Sequence, residues 1–357
     1  MTAKRWALLS LLLIVLALGL CAGVVTVVDP FAIYHAPTQY VPPITNGSQS
    51  YFNAGLAKTY DYDSVIIGSS MTENFVPSQL DALLGGQFIK LCINGGTSFN
   101  HRQMMEMAFD THEIKTVLYG LDLEALTNFY KTPKTQMPDY LYDGSLLNDV
   151  QYWFNGTVLL KYVPACLRAW GQTDPDQRDT MYAWGDLYPY GREAVLGKTR
   201  IRKDEVAQDP AEETPVLSQQ SMLNIEHNIV PFIEAHPETE FIVFFPPYSL
   251  LRWYQFYRQG TMQYHLNQKG AVVRRLLSYD NVRIYDYQAR LDWITDLDNY
   301  IDAGHYGPEI NAEIARLIAR DEGRVLSAKQ VLESSAVLRD AVDDLRARGE
   351  WPDSFDN

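Results

Sequence analysis

The chain has 357 residues, 46% hydrophobic and 21% charged, a globular balance far from that of a disordered polymer. Its formal net charge is −14; because Lys4 and Arg5 precede the first acidic residue, Asp29, the part after residue 28 carries −14 − 2 = −16. Such a surface repels phosphate, which argues against nucleic acid and makes the chain a poor match for an anionic bilayer surface.

Residues 6–28, WALLSLLLIVLALGLCAGVVTVV, carry no charge and are long enough to cross a bilayer as a helix. Lys4 and Arg5 before them predict a cytoplasmic N-terminus, with the rest of the chain outside. The run is longer than the apolar region of a cleaved signal peptide, so a retained single-pass membrane anchor is expected. Residues 29–60, with Pro30 and Pro37 early on, read as an irregular juxtamembrane strap.

From residue 61 strands and helices alternate. Apolar, β-branched runs predict strands at 64–68, 88–93, 116–121, 241–245 and 282–286. Helices are predicted at 77–84, 99–110, 221–236, 261–278 and 308–320. This alternation predicts an α/β fold, a central parallel five-stranded sheet with helices on both faces in three α/β/α layers. A long insertion, about 125–220, separates strands three and four. Its first half reads as apolar helix and its second as loop, and it is placed to act as a lid, a substrate wall or a structural cap. The core domain is thus expected over 61–325, and 326–357 reads as a C-terminal helix, 327–348, and a tail.

Cysteine and histidine usage adds little. Cys21 lies in the apolar segment, Cys92 in a strand and Cys166 on a helix; the last two leave room for one disulfide but make no framework. The seven His show no HxxxH or CxxC spacing, and His101, His112 and Glu113 read as solvated or packed side chains, so neither a metal nor a cofactor is expected. The 23 Tyr suit carbohydrate contact and packing alike.

Four polar stretches fall at strand ends, the edge where open α/β sheets bind ligands. They are Gly68-Ser69-Ser70, Asn94-Gly95-Gly96-Thr97-Ser98, Gly120-Leu121-Asp122 and Asp302-Ala303-Gly304-His305. A carboxylate three residues from an imidazole, with a serine elsewhere on the same edge, supplies the parts of a nucleophilic triad. Ser70 would be the nucleophile, His305 its base and Asp302 the group that orients the imidazole. Backbone N–H groups near Ser70 and at Gly95 or Gly96 would hold the oxyanion. The α/β-hydrolase elbow G-x-S-x-G is not met, since Thr72 stands at its second glycine.

This ordered set resembles the SGNH/GDSL hydrolase superfamily over roughly residues 61–320, interrupted by the insertion. The resemblance implies an esterase or acyltransferase in which Ser70 matches the nucleophile, Ser69 stands where Asp is usual, Gly95 or Gly96 matches the oxyanion glycine, and Asp302 and His305 match the final block. Asp122 stands where that family places an oxyanion Asn, and an ionised carboxylate donates no hydrogen bond. The anchored arrangement is similar to membrane-tethered SGNH-like proteins that work beside membrane-bound O-acyltransferases on cell-surface polymers. The expected function is therefore an extracytoplasmic serine esterase or O-acyltransferase acting on a cell-envelope glycan or glycopolymer. Its expected partners are the membrane, that glycan and a membrane O-acyltransferase. The alternative is a non-catalytic scaffold of the same fold that binds a glycan or such an acyltransferase, consistent with the departures at Ser69 and Asp122.

Overall fold

The computed structural model describes residues 2–44, 47–172, 174, 177–199 and 215–348. They fall into two compact units, Met1–Asp61 with Gln136–Gln177, and Tyr62–Thr135 with Arg178 onward.

The first unit is built on α1, Ala3–Val28, a 26-residue helix long and apolar enough to cross a membrane. Large apolar side chains from Leu8 to Leu20 are exposed along it, whereas Val25 and Val28 are buried. The helix stops at Asp29, whose backbone turns left-handed (φ 44°). The Asp29 carboxylate accepts N–H groups of Ile33, Tyr34 and His35 at 2.7–3.0 Å and the Tyr152 hydroxyl at 3.1 Å. The 29–60 segment is not irregular throughout: Gln49–Thr59 form a second helix, α2. Gly55 is the reason α2 can sit where it does, since a Cβ there would fall 1.7 Å from the Phe31 carbonyl oxygen. The remainder of this unit is a set of short turns, Asp139–Tyr142, Val150–Trp153, a π-helical turn Val158–Tyr162, and Val163–Arg168, rather than one long apolar helix. The last three pack against α1.

The second unit is α/β. Its five strands are β1 Ser64–Gly68, β2 Phe88–Cys92, β3 Thr116–Gly120, β4 Glu240–Phe245 and β5 Val282–Asp286, all parallel in the order β2-β1-β3-β4-β5. β1 is buried on both faces, as a continuous Val-Ile-Ile run requires. β2 carries Lys90 in its middle. The ammonium, fully buried, donates to the carbonyls of Glu73 at 3.0 Å and Asp179 at 2.8 Å, and burial lowers its pKa to about 8. Its helices include α3 Pro77–Leu84, α4 Ser98–Thr111, α5 Pro215–Asn228, α6 Val230–Ala235, α7 Leu250–Arg258, α8 Met262–Leu276, α9 Pro308–Ala319 and α10 Ala328–Arg348. α3 packs with α9, while α5 packs with both α4 and α8, two groups that the right-handed crossover rule assigns to opposite faces of the sheet. The helix expected at 221–236 is two, because Pro231 cannot continue the hydrogen-bond ladder of the first. α10 docks through Val331, Leu338, Val342 and Leu345. All three cysteines are free, Cys92 and Cys166 buried, so the pairing left open between them is not made.

Candidate active site

The sheet order reverses between β1 and β3, the switch point at which the loops diverge and leave a crevice. β1 ends at Gly68, with φ 155°. A Cβ there would lie 2.7 Å from the Thr72 methyl and 3.1 Å from the Gly120 carbonyl oxygen, so only glycine lets β1 and β3 close under the turn. The chain then makes a single 3-10 turn, Ser70–Thr72, capped by Ser69. Three remote side chains hold this turn by its carbonyls. The Trp184 indole donates to the Ser70 carbonyl at 3.0 Å, and Tyr306 and Asn311 donate to that of Met71 at 3.1 and 2.9 Å.

The Asp302–His305 loop is a tight hairpin-like turn, bridged at Tyr300 and Tyr306 and closed by the Ile301 N–H on the His305 carbonyl at 3.0 Å. Asp302 accepts the backbone N–H groups of Gly304 and His305 at 2.9 and 2.8 Å and faces His305 Nδ1 at 2.9 Å. On the far side of the ring, His305 Nε2 lies 2.8 Å from Ser70 Oγ. Ser70, His305 and Asp302 therefore form one continuous hydrogen-bonded chain. Burial works to raise the Asp302 pKa, but the His305 ring and the two backbone N–H groups outweigh it and hold the carboxyl at about 2. Burial likewise works against a charged His305, yet the hydrogen bond and charge of Asp302, helped by Asp122 and Glu73, raise its pKa above the usual 6.5. The Trp184 ring meets the imidazole edge-on, centroids 5.6 Å apart.

Ser69 and Asp122 belong to a neighbouring cluster. The Ser69 hydroxyl donates to Asp122 at 3.2 Å, the Glu124 N–H donates to it at 3.0 Å, and so does the Tyr248 hydroxyl. Burial, reinforced by Asp122 and Glu124, keeps the Tyr248 phenol protonated and thus a donor. Asp122 accepts from all three, which suits a carboxylate and not an oxyanion donor. Glu124 pairs with Arg252.

The two glycine candidates separate. The Gly96 N–H is committed to the Ile93 carbonyl at 2.8 Å, whereas the Gly95 N–H has no acceptor among the described residues. Gly95 is left-handed (φ 57°), and Lys134 Nζ lies 2.8 Å from where its Cβ would stand. Ser70, Gly95, Asp122, Glu124, Lys134, Tyr248 and His305 line one open pocket of about 330 Å³. Lys134, Trp184 and Tyr248 carried no motif in the sequence. They arrive from the 125–220 insertion and from the Pro-Pro-Tyr stretch after β4.

No family model matches the chain, and no curated protein matches it. A solved Streptococcus pneumonia chain, provisionally described as a platelet activating factor, is similar in structure at 11% identity and a TM-score of 0.39, over 77% of this chain and 90% of that one. A likeness of that size carries no argument about chemistry.

Proposed function

We propose that the protein is a membrane-anchored serine esterase or O-acyltransferase working through an acyl-Ser70 intermediate. One observation carries the reading, the Ser70 Oγ–His305 Nε2–Asp302 chain at 2.8 and 2.9 Å. In the forward step Ser70 Oγ bonds to the acyl carbon of an ester while its proton passes to His305 Nε2. The same proton then goes to the departing alkoxide as the carbon–oxygen bond breaks. Asp302 holds Nδ1–H toward itself and stabilises the imidazolium. The Ser70 and Gly95 N–H groups, with the Lys134 ammonium in place of the missing Asn amide, would hold the developing oxyanion. Water attacking the acyl-serine gives hydrolysis; a sugar hydroxyl gives transfer.

The pocket volume favours a short acyl group, and the polar side chains of Thr97, Glu124, Thr127 and Asn128 on its wall favour a polyhydroxylated second substrate. On this reading the substrate is a cell-envelope glycan or glycopolymer, and a membrane O-acyltransferase is the natural source of acyl groups. α1, whose uncharged run follows Lys4 and Arg5, supports an anchor with a cytoplasmic N-terminus and an extracytoplasmic remainder.

A fluorophosphonate probe tests the nucleophile. Wild type is expected to be labelled and Ser70→Ala and His305→Ala are not. An unlabelled wild type, or labelling that survives Ser70→Ala, sinks the assignment. The carboxylate of Asp122 at the oxyanion edge is the observation favouring a second reading, a glycan-binding scaffold, and an inert wild type that still binds glycan would establish it.

A further inference from the structure

We infer that the short turns between Leu146 and Trp170 form an apolar collar that sinks into the lipid leaflet at the C-terminal end of α1. The inference rests on the anchor reading above. It starts from depth. α1 is 26 residues, and a hydrocarbon core of ~30 Å takes ~20 residues of helix. Counted from Trp6, just past Lys4 and Arg5, that stretch ends at Val25. Val25 is fully buried, and Cys21, Ala22 and Val24 before it are partly covered. The elements packed on α1 are Val150–Trp153, the π turn Val158–Tyr162 and Val163–Arg168. Whatever covers the last turns of α1 must lie at the same depth as those turns, within the outer part of that leaflet.

The outward side chains of this region fit that medium. Leu147 and Leu160 are 90% and 83% exposed, and Leu146, Val150, Phe154 and Leu167 are exposed with them. Placed in water these would form an unpartnered apolar surface; placed against acyl chains they continue the lipid-facing surface of α1. Trp170, also exposed, stacks on Tyr40 at 5.9 Å, an amphipathic ring of the kind that settles at the headgroup level. In a strongly acidic chain, residues 144–170 hold Lys161 and Arg168 against the single acid Asp149, which is buried and bonded to the Tyr34 hydroxyl. The region therefore lacks the negative charge that would oppose contact with headgroups. The collar is also fixed to the anchor, because Tyr152 donates to Asp29 at 3.1 Å and accepts the Phe31 N–H at 3.0 Å.

The test uses the full chain in phosphatidylcholine vesicles and in native membranes, with Cys21→Ala and one nitroxide-labelled cysteine at a time: Leu147→Cys, Leu160→Cys, Leu13→Cys or Glu333→Cys. Buried Cys92 and Cys166 stay unlabelled, and circular dichroism checks that each variant is folded. In vesicles, labels at 147 and 160 are expected to meet a water-soluble nickel chelate several-fold less often, and oxygen more often, than the label at 333. Position 13 is expected to behave as bilayer core. Water-like collisions at 147 and 160 with a core signature at 13 overturn the collar and leave the anchor standing. A water-like signature at 13 overturns both. Protection at 147 and 160 in native membranes that is absent in protein-free lipid overturns lipid as the occupant and points to an integral membrane protein.

Discussion

Replacing Asp302 by Asn tests the electrostatic logic of the site most directly. The amide keeps one oxygen for the N–H groups of Gly304 and His305, now at 2.9 and 2.8 Å, so the loop can hold its shape. What changes is the contact with His305 Nδ1 at 2.9 Å, where an NH₂ group now competes to donate. The imidazole then favours the tautomer protonated at Nε2, which has no lone pair for Ser70 Oγ at 2.8 Å. An equivalent tautomer change in a serine triad costs ~10⁴ in kcat, about 5 kcal/mol of barrier. The His305 pKa falls as well, since its largest raising influence is gone. The assay is kcat/KM on a short-chain chromogenic ester against pH, with the His305 pKa read by NMR. Wild-type activity is expected to rise as His305 loses its proton, through a midpoint above 6.5. A variant within tenfold of wild type, or a His305 pKa that stays put, refutes the argument. Stability carries the same signature. The Asp302 shift from 3.8 to about 2 amounts to about 2 kcal/mol at most, less the screening of a carboxylate that is 32% exposed. That contribution is present above pH 3.8 and lost as pH falls through about 2. The His305 contribution is full below 6.5 and lost as pH rises through its raised value. Wild type and variant should therefore differ most in denaturation free energy between about pH 4 and 6.5.

Lys134→Met should lower kcat by about a hundredfold with little change in KM, the usual effect of losing one oxyanion donor; an unchanged kcat would remove Lys134 from the site. Asp122→Asn removes one of the carboxylates that raise the His305 pKa, so NMR titration should find that pKa lowered, and a value equal to wild type contradicts the assignment. Lys269 and Asp286 form a buried pair at 2.8 Å that Ser334 joins from α10. Lys269→Met strands the carboxylate and should cost ~3–5 kcal/mol in urea unfolding, whereas Lys269→Met with Asp286→Leu should regain most of it. A single variant as stable as wild type would show the pair to be dispensable.

The sheet was legible because its signals are local. Val65-Ile66-Ile67 and Phe241-Ile242-Val243 declare buried strands, the first ending at Gly68 and the second stopped by Pro246 after Phe245. The order of strand-end motifs followed from the same runs. α2 was missed for a physical reason. Phe52 to Ala57 are buried on every side, so no polar face alternates with an apolar one, and Gly55 reads as a breaker when it is a close-approach residue. The choice of Gly95 over Gly96 needed a single backbone hydrogen bond that no pattern encodes. Lys134 and Tyr248 reach the pocket, and Trp184 the Ser70 turn and the His305 ring, from stretches whose sequence specifies a loop but not its destination.

The clamps on the serine turn have a consequence in time. Trp184, Tyr306 and Asn311 hold the Ser70 and Met71 carbonyls across 114, 235 and 240 residues of chain. Contacts of such separation form late in folding, after the chain ends have been brought together. His305 is reached across the same distance. A nascent chain that has exposed β1 but not yet residues 305–357 thus carries Ser70 without its imidazole partner. On the proposed mechanism the serine gains its base only when the C-terminal part arrives, so an incomplete chain should be chemically silent.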